Sequence, residues 1–333
     1  MSKRKKAKLS LSKKIFIAIV TILVIIVGVG IGAMSYGYSL LNKMEKVEVK
    51  KEDLGVSSQV EEKLQEYNDT IENIALFGID TTDGGTGRSD SIMIATIDRK
   101  HNKLKLTSIM RDSYVEIPGR SGKDKINHAH AFGGPELAIR TLNENFDLNI
   151  TDFASVNFTT LPKIIDKIGG IEIDIDDEEL KYINNYINDI NRKNGTKEAT
   201  ISSTGVQHIN GTQAMAYCRI RYTTGGDYKR TERHREVLEK IFEKVTKVSP
   251  TKWPSLLNEI LPMVQTSMDA SEIIDLGNTV LKMGTGMNLE QERFPVDGYC
   301  EGKMINGVYY LTFDKATTVE QMHQYIFEDK KTY

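Results

Sequence analysis

Residues 73–98 read NIALFGIDTTDGGTGRSDSIMIATID. The run NIALFGID is apolar as far as Gly78-Ile79-Asp80 and predicts a buried strand. DSIMIATID predicts a second strand, with a Gly-rich loop between the two, and KLKLTSIM a third beyond the turn residues RKHN. Strands and helices keep mixing downstream. GGPELAIRTLNENF places Gly and Pro ahead of helical spacing, FASVNF reads as a strand, TTLPKIIDKI as a helix and GGIEIDI as a strand. TERHREVLEKIFEKV is an amphipathic helix, WPSLLNEILPMV and ASEIIDLGNTVLKM are further helices, and LEQERFPV and VYYLTFD are late strands. This order predicts an α/β fold: a single domain over residues 70–333 with a central mixed β-sheet flanked by helices on both faces. Its core motifs fall in 73–247, and C-terminal helices and strands fill 248–333.

Ahead of that domain, residues 1–14 carry Lys3, Arg4, Lys5, Lys6, Lys8, Lys13 and Lys14, and Ile15 to Met34 carry no charge. About 20 apolar residues match a bilayer core. A transmembrane helix over 15–36 is therefore expected, with the basic tail in the cytoplasm and the rest of the chain outside. A signal peptide would have a shorter apolar region and a small-residue cleavage site. Residues 37–69, with KMEKVEVKKEDL and EEKLQEY, read as a polar extracytoplasmic stalk. The formal net charge of −2 argues against a nucleic-acid binder. Cys218 and Cys300 make no disulfide framework, and Cys218, beside Tyr217, reads as a small buried residue.

Four stretches carry chemistry. Asp80 closes one strand and Asp90 opens the next, which could bring two carboxylates to one sheet edge. Such a pair needs a shared proton or a cation, and Mg²⁺ suits it; equally, both aspartates could simply shape turns. Arg111 and Asp112 follow a strand directly, where α/β proteins place their sites, although an Arg-Asp pair is also common surface furniture. KINHAHAFGG holds Lys125, Asn127, His128 and His130, yet histidines two apart at a helix start do not face each other, so zinc is not expected. AYCRIRYTTGGDYKRTERHRE, residues 216–236, gathers Arg219, Arg221, Arg230, Arg233 and Arg235 with Lys229. Read as extended, YCRIRY puts Arg219 and Arg221 on one face. In the helix that follows, Arg230, Arg233 and His234 share another. Forked guanidinium groups there could clamp a diphosphate; a solvated basic face partnered by Glu232 and Glu236 is the alternative.

GID, GRSDSIM, SIMRDSYVEIPG, KINHAHAFGG, IGGIEIDI, HINGTQAMAYCRIRY and GDYKRTERHRE, in this order and with these gaps, resemble the LytR–CpsA–Psr family of bacterial envelope proteins. The resemblance covers the anchor and most of 73–247. It implies a membrane-anchored phosphotransferase that moves a cell-wall glycopolymer, such as a teichoic acid, from a polyprenyl-diphosphate carrier to a peptidoglycan hydroxyl. A non-catalytic binding or escort protein, or a diphosphatase, would share much of the pattern. The resemblance assigns Mg²⁺, or Mn²⁺ in its place, to Asp80 and Asp90. It assigns the diphosphate to Arg111, Arg219, Arg221 and Arg230, with Arg88, Arg233 and His234 as further contacts. Asp227 matches the family's aspartate before the helix, and Asp227 or Asp90 is the candidate general base. Departures are Thr82 where members often carry arginine, a loop from Asp80 to Asp90 about two residues short, Met110 in place of proline, and His234 in place of glutamine. The lipid tail needs an apolar slot, for which GPELAIRTL, LPKIIDKI and REVLEKIF are the candidate helices.

Overall fold

The computed structural model describes residues 34–81, 86–245, 248–249, 252–283 and 288–333. In chain order, α1 (Met34–Leu41), β1 (Glu45–Lys46) and α2 (Ser58–Leu64) precede β2 (Ile71–Asp80), β3 (Arg88–Asp98) and β4 (Lys103–Ile109). Next come β5 (Tyr114–Glu116), β6 (Lys123–Lys125), α3 (His128–Phe146), β7 (Asp152–Asn157) and α4 (Thr160–Lys167). They are followed by β8 (Ile171–Ile175), α5 (Asp177–Asn194), β9 (Gly205–Ile209), α6 (Gly211–Arg219) and α7 (Gly226–Val245). The remainder is α8 (Trp253–Ile260), β10 (Gln265–Thr266), α9 (Ala270–Met283), β11 (Asn288–Phe294), β12 (Cys300–Ile305), β13 (Val308–Phe313) and α10 (Lys315–Ile326).

The expected mixed sheet is present, in the order β1-β10-β7-β2-β3-β4-β11. β2 pairs in parallel with β7, and β4 with β11, while β3 runs antiparallel to both β2 and β4. β2, β4, β7 and β11 therefore share a direction, and their C-terminal ends meet at one edge, the usual place for a ligand. Ala75, Phe77 and Ile79 of β2, with Ile92 and Ile94 of β3, pack on a core that includes Ala138, Ile139 and Leu142 of α3 and Met322 of α10. The opposite face, with Leu76 and Gly78, looks toward a second core built by β8, α4, α5, α6 and α7. Two-residue alternation is what allows one strand to serve both layers.

One expectation needs correction. Residues 37–69 do not stand apart as a stalk. Leu40 and Leu41 are buried in one core, Leu54, Val60 and Leu64 in the other, and Glu45 and Lys46 pair with Gln265 and Thr266. The many charges in this segment hide a sparse set of apolar side chains spaced widely enough to reach the body. GGIEIDI does form a strand, but it pairs only with β9 in a separate two-stranded sheet. The apolar stretch 15–36 lies outside the described residues except for its last three, which open α1; among the described residues no helix is long and apolar enough to cross a membrane. Thr82 and the middle of the Gly-rich loop also lie outside the described residues.

α6 starts with an Asn210/Gln213 capping box, and the Gly211 N–H donates to Asp166 Oδ1 at 2.7 Å. The backbones are in contact here: a Cβ on Gly211 would lie 2.0 Å from the Pro162 carbonyl oxygen of α4. Gly211→Ala is therefore expected to force the two helices apart and to cost about 1–3 kcal/mol or more. The check is a lower urea midpoint with unchanged far-ultraviolet circular dichroism; an unchanged midpoint would refute the close contact.

Candidate active site

At the shared strand edge the β2–β3 register slips by one residue. Gly78 faces Ser91 but Ile79 faces Ser89, so Asp90 is the extra residue of a β-bulge. A bulge frees a side chain from strict alternation and re-aims it. The Asp90 side chain is 1% exposed, and both of its oxygens are bonded. Asn127 Nδ2 donates to Oδ1 at 3.0 Å; Arg111 Nη1 and Arg230 Nη2 donate to Oδ2 at 3.0 and 2.7 Å. Burial alone would raise the Asp90 pKa. The charges of Arg230 and Arg111, and their hydrogen bonds, outweigh burial and hold it well below the usual carboxylate range.

Arg111 leaves the end of β4, as the sequence predicts, and also bonds Asp227 through Nη2 at 2.8 Å and Nε at 3.1 Å. Asp227 stands in the first turn of α7, where a carboxylate also suits the helix dipole, and Arg230 follows one turn later. Arg230 is buried, and its Nη1 has no hydrogen-bond partner; Asp227 Oδ1 is 3.6 Å away. Arg221 is exposed overall, with part of its charge shielded from water. Burial pushes its pKa down, and the charges of Arg230 and Arg111 push it further. Among the described residues no carboxylate pairs with it. Two guanidinium groups, of Arg111 and Arg230, thus converge on two carboxylates, and Arg221 nearby adds a cationic excess beside the unmet Arg230 donor.

The path to this arrangement differs from the expected one. YCRIRY is not extended: α6 runs to Arg219, and Ile220 caps it. The N-G-T-Q start of α6 was the available signal, and the alternation of Arg219 and Arg221 misled. Arg219 instead lies over the Phe158 ring, 5.3 Å from its centroid. Arg233 is corrected as an anion contact. Its guanidinium is committed to Glu179 at 2.8 Å, Thr223 Oγ1 at 2.7 Å and the Ile220 carbonyl at 3.3 Å. It ties down the residues flanking Arg221. His234 is corrected as well. Its Nε2 meets the Cys218 carbonyl at 3.0 Å, and burial together with the Arg230 charge lowers its pKa to about 3, so the ring is neutral. Arg88 and Asp80 pair with each other at 3.4 Å on the exposed strand ends. His128 and His130 part company, one to Asp124 at 2.9 Å and the other to the Gly87 carbonyl at 2.8 Å. Both cysteines are free thiols, and Cys218 is buried.

Beside the cluster lies an apolar cavity of about 190 Å³. Leu76, Gly78 and Met93 line it from the sheet, and Leu161, Met215 and Val237 from α4, α6 and α7. Two of the three helices expected to form an apolar slot do so. GPELAIRTL does not, because α3 covers the other face of the sheet. Phe158, Cys218 and His234 close the cavity where it meets the arginines. The Cys218 carbonyl is the hinge between the two, accepting from Arg230 Nε at 3.4 Å as well as meeting His234. An apolar cavity of this size suits hydrocarbon; enclosed engineered ones of about 150 Å³ bind benzene.

As to a metal, Asn127 Oδ1 is buried and has no hydrogen-bond partner, directly beside the carboxylate its own Nδ2 holds. An unsatisfied carbonyl oxygen next to a carboxylate is a donor set that fits a hard divalent cation. Among the described residues the one trio of acidic and imidazole groups close enough to share an ion is Asp98, His101 and Asp329, at the far end of β3. There the Lys105 ammonium already stands 2.7 Å from Asp98 and 3.3 Å from Asp329.

A cationic pocket beside an apolar slot at the C-terminal edge of an α/β sheet suits a protein that handles an amphiphilic anion. The chain belongs to the LytR_cpsA_psr family, whose sequence model matches residues 34–326. It is 34% identical over 257 residues to an Enterococcus faecalis protein named polyisoprenyl-teichoic acid–peptidoglycan teichoic acid transferase TagU, covering 75% of this chain and 77% of that one. A Bacillus cereus TagU is 30% identical over 246 residues, covering 73% and 74%. Among solved structures, protein gbs0355 of Streptococcus agalactiae superposes with a TM-score of 0.62 at 26% identity, covering 83% of this chain and 91% of that one. The fold is also that of Bacillus subtilis TagT, solved with bound octaprenyl pyrophosphate lipid, at a TM-score of 0.57 and 24% identity over 78% and 91% of the two chains.

Removing the Asp90 carboxylate leaves Arg230 buried and uncompensated. Asp90→Ala is expected to lose about 3–5 kcal/mol at pH 7. Because the folded pKa is depressed, this contribution is complete above the unfolded carboxylate value of about 4 and fades as pH falls from there. The gap between the urea midpoints of wild type and variant should therefore narrow steadily as pH falls from 5 to 2.5, without closing there. A gap of constant size would show that the charge on Asp90 is not what holds the cluster.

Proposed function

We propose that this protein is a phosphotransferase that moves an anionic or secondary cell-wall glycopolymer from a polyprenyl-diphosphate carrier to a peptidoglycan hydroxyl. The observation that carries this reading is the meeting of the apolar cavity and the arginine cluster at Cys218. A diphosphate seated on Arg221, Arg230 and Arg111, with Arg219 at the rim, would send its lipid tail into the cavity. The named TagU relatives and the lipid bound to TagT support the same substrate class.

The acceptor hydroxyl oxygen attacks the sugar-side phosphorus. The bond from that phosphorus to the bridging oxygen breaks, the lipid monophosphate leaves with it, and a phosphodiester joins polymer to acceptor. Charge develops on the phosphoryl oxygens and on the leaving phosphate, where permanently charged forks already stand. Of the two candidate bases, Asp90 is clamped by three donors and its basicity is suppressed by two arginines. Asp227 is more accessible and takes the acceptor proton. Asp80, Asp90 and Asn127 Oδ1 are the groups that would hold Mg²⁺, or Mn²⁺ in its place. Bound, the ion neutralises charge on the diphosphate. The apolar stretch 15–36 anchors the chain, with the basic residues 1–14 in the cytoplasm, and keeps the site among carriers confined to the outer leaflet.

The test is turnover of a synthetic prenyl-diphosphate glycan with a peptidoglycan fragment, followed by mass spectrometry. Phosphodiester product and prenyl monophosphate are expected in equal amounts. Hydrolysis alone would make the protein a diphosphatase, and binding without turnover an escort protein. Arg221→Ala should cut transfer by about 10²- to 10³-fold, with a melting temperature unchanged or raised, since a repelled cation is removed. Full activity in that variant would sink the clamp. Chelation should abolish transfer and added Mg²⁺ restore it; undiminished turnover in excess chelator would remove the ion from the reaction.

A further inference from the structure

The hairpin β12–β13 plays no part in the reading so far, yet it is pinned to the immediate neighbours of two site residues. The Leu311 N–H donates to the carbonyl of Asp112, next to Arg111, at 2.8 Å. On the other strand, Cys300 Sγ lies 3.4 Å from the hydroxyl of Tyr228, next to Asp227. One hairpin face carries Phe313, Leu311 and Tyr309 in alternation. Phe313 stacks on Phe146 and Leu311 is buried, so this end belongs to the body. The face then continues past the body with Tyr309, 41% exposed, and its cross-strand partner Met304, 66% exposed. The Tyr309 ring lies flat across the opposing strand: a Cβ on Gly302 would be 2.7 Å from both its ring edge and its hydroxyl. Lys125, which pairs with Asp112 at 2.7 Å, stands 5.9 Å from the ring centroid. Because Cys300 of the paired strand reaches Tyr228, next to Asp227, the hairpin that carries the ring borders the Asp227 side of the site.

Resting on the transferase reading, we propose that Tyr309, held flat by Gly302, is the platform on which a sugar ring of the acceptor glycan stacks. An exposed aromatic face with its negative quadrupole suits the C–H face of a pyranose. Lys125 and the phenol edge supply polar partners for its hydroxyls. The location fits the chemistry: the acceptor must present its hydroxyl to Asp227, on the side of the arginine cluster away from the lipid cavity. A bilayer is a poorer occupant, because the ring is turned onto its own hairpin at Gly302 with Lys125 beside it.

The experiment is calorimetric titration of the full chain in detergent micelles with a tetrasaccharide of alternating N-acetylglucosamine and N-acetylmuramic acid. Tyr309→Ala and Gly302→Ala should weaken binding about ten-fold, while Tyr309→Trp keeps it. In the transfer assay the same loss should appear in the acceptor KM. No binding by wild type, or equal binding by wild type and Tyr309→Ala, would overturn the proposal. So would a Tyr309→Ala defect confined to binding of phosphatidylglycerol vesicles, which would make a membrane the occupant. Saccharide binding that behaves as stated, without any transfer from the lipid donor, would instead refute the transferase reading and leave the sugar platform standing.

Discussion

One buried carboxylate organises the catalytic edge. Asp90 sits where β3 slips register and is grasped at the same time from the end of β4 by Arg111, from α7 by Arg230 and from the start of α3 by Asn127. Each of those elements comes from a different part of the chain. A buried ion pair is seldom worth much in net stability. Its value here is geometric: it fixes two guanidinium groups against each other, where like charges would otherwise separate them. The cluster remains short of negative charge even so, and the shortfall is felt at Arg221. A resting site left one anion short is prepared for a substrate that brings phosphate.

The two faces of the sheet divide the labour. α3 and α10 seal one face with a close-packed core. On the other, α6 and α7 stand off from Leu76, Gly78 and Met93 and leave an apolar space. The same two helices supply Arg219 and Arg230 at their ends and turns. Grease and charge are therefore adjacent because neighbouring turns of the same two helices carry them: Met215 and Cys218 precede Arg219 on α6, and Val237 follows Arg230 on α7. Arg233 shows the supporting layer. By binding Glu179, Thr223 and the Ile220 carbonyl, it sets the loop from which Arg221 projects.

Much of this was legible in the sequence, for identifiable reasons. The strands from Ile71 to Ile109 are long, apolar and separated by turn residues, so the sheet centre could be read directly. Arg111 was placed correctly because it follows a strand without a gap. The segment 216–221 was misread because two-residue alternation of Arg219 and Arg221 also occurs at the end of a helix, and the Asn210/Gln213 cap upstream was the better guide. Arg233 and His234 could not be told from Arg230 by spacing, since all three lie on one helix; only their partners, Glu179 and the Cys218 carbonyl, separate them. The bulge at Asp90 left no mark, because a single extra residue does not disturb the apolar pattern. Residues 37–69 looked detached because their few apolar side chains are outnumbered by charges.

That last segment has a consequence for how the body is carried. Leu40 and Leu41 of α1 pack in the core shared with Ala270 and Ile273 of α9, and Glu45 and Lys46 extend the sheet itself. Whatever holds the chain upstream of residue 34 is joined to the body by a docked splint instead of a slack tether. From Met34 onward the chain is therefore already part of the folded body, held both by a helix and by the edge of the sheet.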